Sequence, residues 1–218
     1  MVISHENKLY YGNSLPPAAR WNGAYYYSRE ICQNIIPNVK TDRNWVTIYV
    51  PSRAANHSVY FVHNNKSPSM YEFLSWYKDV VLVCGVPDTV DKVKRYGKAI
   101  YLPLSIDVEY VSKFRTDEKT INTAYVGRRG KRDGMMFPKG TVFFEGMPRE
   151  RLLREMAKCR NVFAVGRCAL EAKALGCNIL PYDPRYPDPE LWQVLDNREA
   201  AEILQKKLDE IDKRSRTE

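Results

Sequence analysis

Short apolar runs, set off by glycine, proline and charged residues, recur along this chain at lengths that predict strands joined by helices. Residues 45–50 gather β-branched and aromatic side chains into one run that Pro51 closes, the pattern of a buried strand. Residues 58–62, 80–84 and 99–102 repeat it. Between them the apolar spacing turns helical over 28–36, stopped by Pro37, over 69–76, and over 88–96, opened by Asp88 and stopped by Gly97. Residues 10–23, with Gly12, Pro16, Pro17 and Gly23, read as loop. Beyond Pro103 a second series begins. Strands at 122–126, 141–144, 161–165 and 178–180 alternate with helices at 150–159 and 169–175, and a charged amphipathic helix over 198–213 follows.

Near-continuous apolar strands alternating with helices indicate an α/β fold whose parallel sheets are flanked by helices. The charged stretch at 113–119 reads as a linker. Two small Rossmann-like domains are therefore expected, residues 1–107 and residues 108–218, the second carrying the C-terminal helix.

Of the 218 residues, 44% are hydrophobic and 28% charged, a globular composition that excludes disordered and collagen-like chains. The 5 cysteines (Cys32, Cys84, Cys159, Cys168, Cys177) form no CxxC pair, and 3 histidines are few for a zinc site, so reduced thiols and no metal are expected. The sequence has neither a membrane-length apolar run nor a signal-peptide pattern, so a soluble, cytoplasmic protein without a membrane span is expected. A net charge of +8 suits a polyanion or a phosphorylated small molecule as partner.

Two segments carry candidate chemistry. Gly127-Arg128-Arg129-Gly130-Lys131-Arg132 follows a predicted strand, at the carboxyl end where open α/β sheets bind ligands. Glycine lets the backbone approach an anion, and guanidinium forks pair with phosphate oxygens; a solvated basic turn is the alternative. Neither GxxxxGK[ST] nor GxGxxG occurs. In the second segment, Gly166-Arg167-Cys168 opens a helix whose Glu171 offers a carboxylate to the hydroxyls of a ribose.

In order along the chain, Val126-Gly127-Arg128 with Lys131, Phe144-Glu145-Gly146, and Leu170-Glu171-Ala172 with Ala174-Leu175-Gly176-Cys177 resemble the nucleotide-sugar domain of GT-B glycosyltransferases. The first half agrees: residues 80–107 are similar to the segment that ends that family's N-terminal domain, and Tyr60-Phe61-Val62-His63-Asn64 resembles its strand ending in a histidine at the interdomain cleft. The resemblance implies a metal-independent glycosyltransferase with a nucleotide-sugar as co-substrate and no other cofactor. It assigns Gly127, Arg128, Arg129, Lys131, Gly166, Arg167 and Glu171 to the donor. His63 becomes the catalytic base, with His57, Asp42 and Asp107 as the other candidates by type. The chain departs from the family pattern in a shorter arginine-to-lysine spacing, and in Phe163 eight positions before Glu171, where an acidic residue is usual.

Aromatics interleaved with Arg20 and Arg29 near the N-terminus suit contact with a nucleic-acid strand. Phage-type enzymes that glycosylate modified DNA bases share this architecture, so DNA is the leading acceptor expected, with Arg20, Gly23 and Asn64 contacting it. The alternative is a non-catalytic nucleotide- or nucleic-acid-binding protein on the same scaffold.

Overall fold

A computed structural model describes residues 2–4, 8–10, 23–47, 54–62 and 68–215. The chain divides into two compact units, one formed by residues 1–103 with 197–218 and the other by residues 104–196.

The first unit holds a six-stranded sheet of β1 (Val2–Ser4), β2 (Lys8–Tyr10), β3 (Asn44–Val46), β4 (Ser58–Val62), β5 (Val80–Cys84) and β6 (Lys98–Tyr101), in that spatial order. β1 and β2 pair antiparallel, and every later pair is parallel. The first two strands were not foreseen, because three-residue segments are too short to show an alternating pattern. Strand β3 begins one residue before the predicted start, while residues 48–53 of that expected run and its surroundings lie outside the described residues. The predicted helix over 28–36 is α1 (Gly23–Glu30) continued by a π-helical turn at Ile31–Ile35 and a 3₁₀ turn at Ile36–Asn38. That over 69–76 is a 3₁₀ segment, Pro68–Trp76.

Every residue of β4 and β5 is buried, which explains their unbroken apolar runs. On one face Val46, Tyr60, Val62, Val80, Leu82 and Cys84 pack with Tyr71, Leu74 and Val93, the last from α2 (Pro87–Val93). On the other, Trp45 stacks on Phe61 at 6.3 Å. Gly97 precedes β6 because a Cβ there would lie 2.7 Å from the Val80 carbonyl oxygen.

The second unit opens with α3 (Val108–Ser112), whose N-cap Asp107 accepts from the Tyr110 backbone N–H at 2.8 Å. Asp107 is therefore a cap. Four parallel strands follow, β7 (Ile121–Val126), β8 (Val142–Phe144), β9 (Cys159–Phe163) and β10 (Asn178–Leu180), with α4 (Arg149–Ala157) and α5 (Arg167–Ala174) between them. One sheet face presents Ala124, Val126, Phe144, Val162 and Ile179, all buried; Leu153, Met156, Ala157, Ala169 and Leu170 of the helices are buried as well. The opposite face carries an in-register aromatic row, Phe143, Tyr125 and Phe163, on which Phe137 lies with ring centroids 5.1 to 5.6 Å away.

The last helix, α6 (Asn197–Ser215), corrects the expected division of the chain. Its buried stripe of Ala200, Ala201, Leu204 and Leu208 belongs to the first unit, not the second. Gln205 bonds the backbone N–H and carbonyl of Lys40 at 2.5 and 3.0 Å, and Asp212 accepts from Arg43 at 2.6 Å. The charged stretch 113–119 is likewise not the crossing point, which lies at residues 103–104 and again at 196–197. Ile106 and Asp196 pair as an isolated parallel bridge, so the second unit begins and ends side by side.

Candidate anion site at the strand ends of the second unit

Strand order places this site. The second sheet runs β10-β9-β7-β8, so the chain steps from β7 to β8 in one direction and then returns to the other side of β7. In open parallel sheets the crevice outside the carboxyl ends, at such a reversal, is where ligands bind. The parallel strands of the first unit run β2 to β6 without a reversal.

The loop leaving β7 is built around Tyr125, whose hydroxyl donates to the Arg128 carbonyl at 2.9 Å. This closes a turn in which Arg129–Lys131 form a 3₁₀ helix. Gly127 has a steric reason: a Cβ would sit 2.5 Å from Tyr125 Oη and 2.8 Å from Cζ. Gly127→Ala is therefore expected to break the Tyr125–Arg128 bond, destabilise the unit by about 1–3 kcal/mol and weaken anion binding. Adding Tyr125→Phe should recover part of the stability in thermal unfolding but none of the lost bond.

Arg128 and Arg129 are exposed, while Arg132 is committed to Glu145 at 2.6 Å and lies over the Phe143 ring at 4.4 Å. Lys131 is exposed as a residue, yet its ammonium feels protein on several sides. Desolvation, with Arg128 and Arg185 nearby, pulls its pKa below the ordinary lysine value against the opposing pull of Cys168 and Asp183.

Across the crevice, Gly166 caps α5 with φ at +63°, a backbone shape that favours glycine. Its carbonyl accepts from the N–H groups of Ala169 at 2.9 Å and Leu170 at 3.3 Å. The first turn of α5 thus faces the crevice with its positive dipole end. Cys168 in that turn is half-buried, and desolvation pushes its thiol up to about 11, so it is not a thiolate at neutral pH. Glu171 is buried, and its Oε1 accepts from Arg167 Nε at 2.9 Å and Arg149 Nη2 at 3.1 Å.

Beyond β10, Asp183 holds Arg185 through bonds of 2.6 and 2.9 Å, and that pairing keeps its carboxyl below the usual carboxylate range. Sequence reasoning missed Arg185 and Arg149. Arg185 had a legible signal, a cation a few residues past the carboxyl end of a strand; Arg149 opens a helix, and only the fold brings it to Glu171 across 22 positions.

The structure brings Gly127, Arg128, Arg129, Lys131, Gly166, Arg167 and Glu171 to the carboxyl ends of one sheet. His63, Asn64 and Arg20 lie outside the described residues, and Gly23 opens α1. His57 and Asp42 are not at a strand's carboxyl end. They precede β4 and β3, and His57 bridges Asp42 at 2.9 Å and Asp79 at 2.6 Å at the amino ends of the first sheet. An imidazole held between two carboxylates on the far side from a ligand crevice is a structural cation, which removes both as base candidates.

Among the described residues no cluster of histidine, cysteine and carboxylate side chains is arranged to hold a metal ion, and no helix is long and apolar enough to cross a membrane. Comparison with protein-family models and with curated proteins finds no match to this chain.

Proposed function

We propose that this chain transfers a glycosyl group from a nucleoside-diphosphate sugar to an acceptor hydroxyl, with the second unit holding the donor. What carries the reading is the convergence of Arg128, Lys131, Arg185 and the N-terminus of α5 at the reversal point of a parallel sheet. A diphosphate needs close backbone approach and fixed cations, which this end of the sheet supplies. When the bond between the sugar C1 and the diphosphate oxygen breaks, the electron pair leaves with the diphosphate. Cations and a helix dipole already in place stabilise that charge without reorganising. The acceptor oxygen bonds C1, and its proton passes to a base, the role this reading gives His63.

For the acceptor, a DNA base bearing a hydroxyl suits the +8 charge, with Arg20, Gly23 and Asn64 as its proposed contacts. Such a base would have to be turned out of the helix to react. A second reading, a nucleotide-binding protein without transfer, is favoured by the engagement of Glu171 with two arginines.

Thermal unfolding with a panel of nucleotide-sugars, followed by phosphorus NMR for released nucleoside diphosphate, separates the two. A ligand at 100 times its dissociation constant should stabilise by about 2.7 kcal/mol. Release that requires hydroxymethylated DNA is the expected result; a shift without release under any acceptor supports the second reading. No shift with any nucleotide, together with salt-dependent DNA binding, would sink the donor site itself.

A further inference from the structure

The carboxylate of Glu171 is 5% exposed and the Arg167 side chain 9%. Arg149 comes from the first residue of α4 and Arg167 from the first residue of α5, so two helices each send a guanidinium to one carboxylate oxygen. A charge-assisted bond is roughly twice as strong as a neutral one. A ribose hydroxyl seeking that oxygen would have to displace a guanidinium and leave a buried cation with a weakened partner, which is costly in a site of low dielectric. The same small region also contains Lys131. The charges acting on the Cys168 thiol, at the second residue of α5, are those of Glu171, Arg167, Lys131 and Arg149 together. Three cations from three separate elements therefore surround the helix N-terminus, and Glu171 sits among them as their shared anchor.

We propose that Glu171 is a positioning residue that aims Arg149 and Arg167, and that these two guanidiniums bind the phosphate groups of the ligand opposite Lys131. The inference rests on reading this end of the sheet as a diphosphate site, and it changes which atoms recognise the ligand. The phosphates are gripped from two sides, by the β7–β8 loop and by arginines borne on α4 and α5, and the ribose falls to other groups. Arginine fits the task because its fork carries five N–H donors in fixed directions, whereas each bond to Glu171 uses one nitrogen, Nη2 of Arg149 and Nε of Arg167. Arg149 thereby becomes a ligand-binding residue that the sequence gave no reason to choose.

Inorganic pyrophosphate, which has no ribose, provides the test. It is titrated calorimetrically into the whole chain and into its Arg149→Gln, Arg149→Lys, Glu171→Gln and Lys131→Ala variants, with a nucleoside diphosphate alongside. Arg149→Gln should weaken both ligands by about 10-fold or more, the loss expected for one charge-assisted bond, and Arg149→Lys should regain part of it. Glu171→Gln should change the affinity for both ligands by one common factor. If Glu171→Gln alters only the nucleoside diphosphate and leaves pyrophosphate unchanged, Glu171 meets the ribose and the proposal is overturned. Should Glu171→Gln fail to fold, the Arg149 pair decides alone: wild-type pyrophosphate affinity in Arg149→Gln overturns the proposal. Lys131→Ala separates this inference from the one beneath it. Loss in Lys131→Ala without loss in Arg149→Gln removes only the arginine clamp, whereas no loss in either removes the diphosphate site as well.

Discussion

Alanine at both Arg128 and Lys131 is expected to weaken nucleoside-diphosphate binding by about 10²–10⁴-fold, since two hydrogen bonds to charged groups are each worth about 1.5–3 kcal/mol. Calorimetric titration measures it, and the pH dependence identifies which cation is at work. Desolvation and the neighbouring guanidiniums of Arg128 and Arg185 lower the Lys131 pKa in the ligand-free protein. A phosphate beside that ammonium favours the charged form and raises the pKa again, so binding takes up a proton. Affinity should therefore fall as pH rises through the lowered pKa of the free protein. Binding enthalpies should differ between buffers of different ionisation heat, and Lys131→Ala should lose that difference. The sign for folding runs the opposite way: with its pKa below the ordinary lysine value of 10.5, Lys131 makes the ligand-free fold more stable as pH rises towards that value. Buffer-independent enthalpies in the wild-type protein would mean that the ligand does not reach Lys131.

The strands were legible wherever both faces are buried. Val80–Cys84 and Ser58–Val62 lie inside the first sheet, so every side chain is apolar or small and the run is unbroken. The helix α6 was legible as a helix, but its amphipathic stripe says only that something covers Leu204 and Leu208. Which unit covers them depends on the chain crossing back after Asp196, and no local pattern encodes that. The cationic loop after β7 was legible because a loop following a parallel strand must sit at its carboxyl end. The same rule read in the other direction would have set aside His57 and Asp42, which precede strands and so lie at the amino ends. Glu171 shows the limit: the sequence presents a carboxylate in a helix, but whether it faces a ligand or two arginines is decided by the packing of α4 against α5.

Arg43→Met should destabilise the first unit by about 3 kcal/mol and lower its melting temperature by roughly 10 °C. The guanidinium of Arg43 is 1% exposed and ties three elements together. It meets Asp79 Oδ2 at 3.0 Å and the Asp79 carbonyl at 3.1 Å ahead of β5, and Asp212 Oδ1 at 2.6 Å on α6. Removing one partner of a buried pair costs about 3–5 kcal/mol, and the low end applies because Asp79 and Asp212, 34% and 30% exposed, can hydrate once abandoned. The same network sets a pH window. Desolvation works against the imidazolium of His57, but its bonds to Asp42 and Asp79 prevail and hold its pKa above the ordinary 6.5. Its contribution is complete below 6.5 and is lost as pH rises through the raised value. Asp42 is held below the ordinary 3.8 chiefly by its bond to His57. For Asp79, bonds to His57 and Arg43 outweigh a larger opposing desolvation and also hold it below 3.8, so both contributions are lost only as pH falls beneath that value. Wild-type stability should therefore decline on the alkaline side of neutrality. His57 adopts φ of +49°, which asparagine also tolerates, so His57→Asn removes the charge with little backbone strain. Melting temperatures of His57→Asn should change less between pH 6 and 8 than those of the wild type; an equal decline in both would locate the alkaline loss in another group and leave His57 a neutral strut.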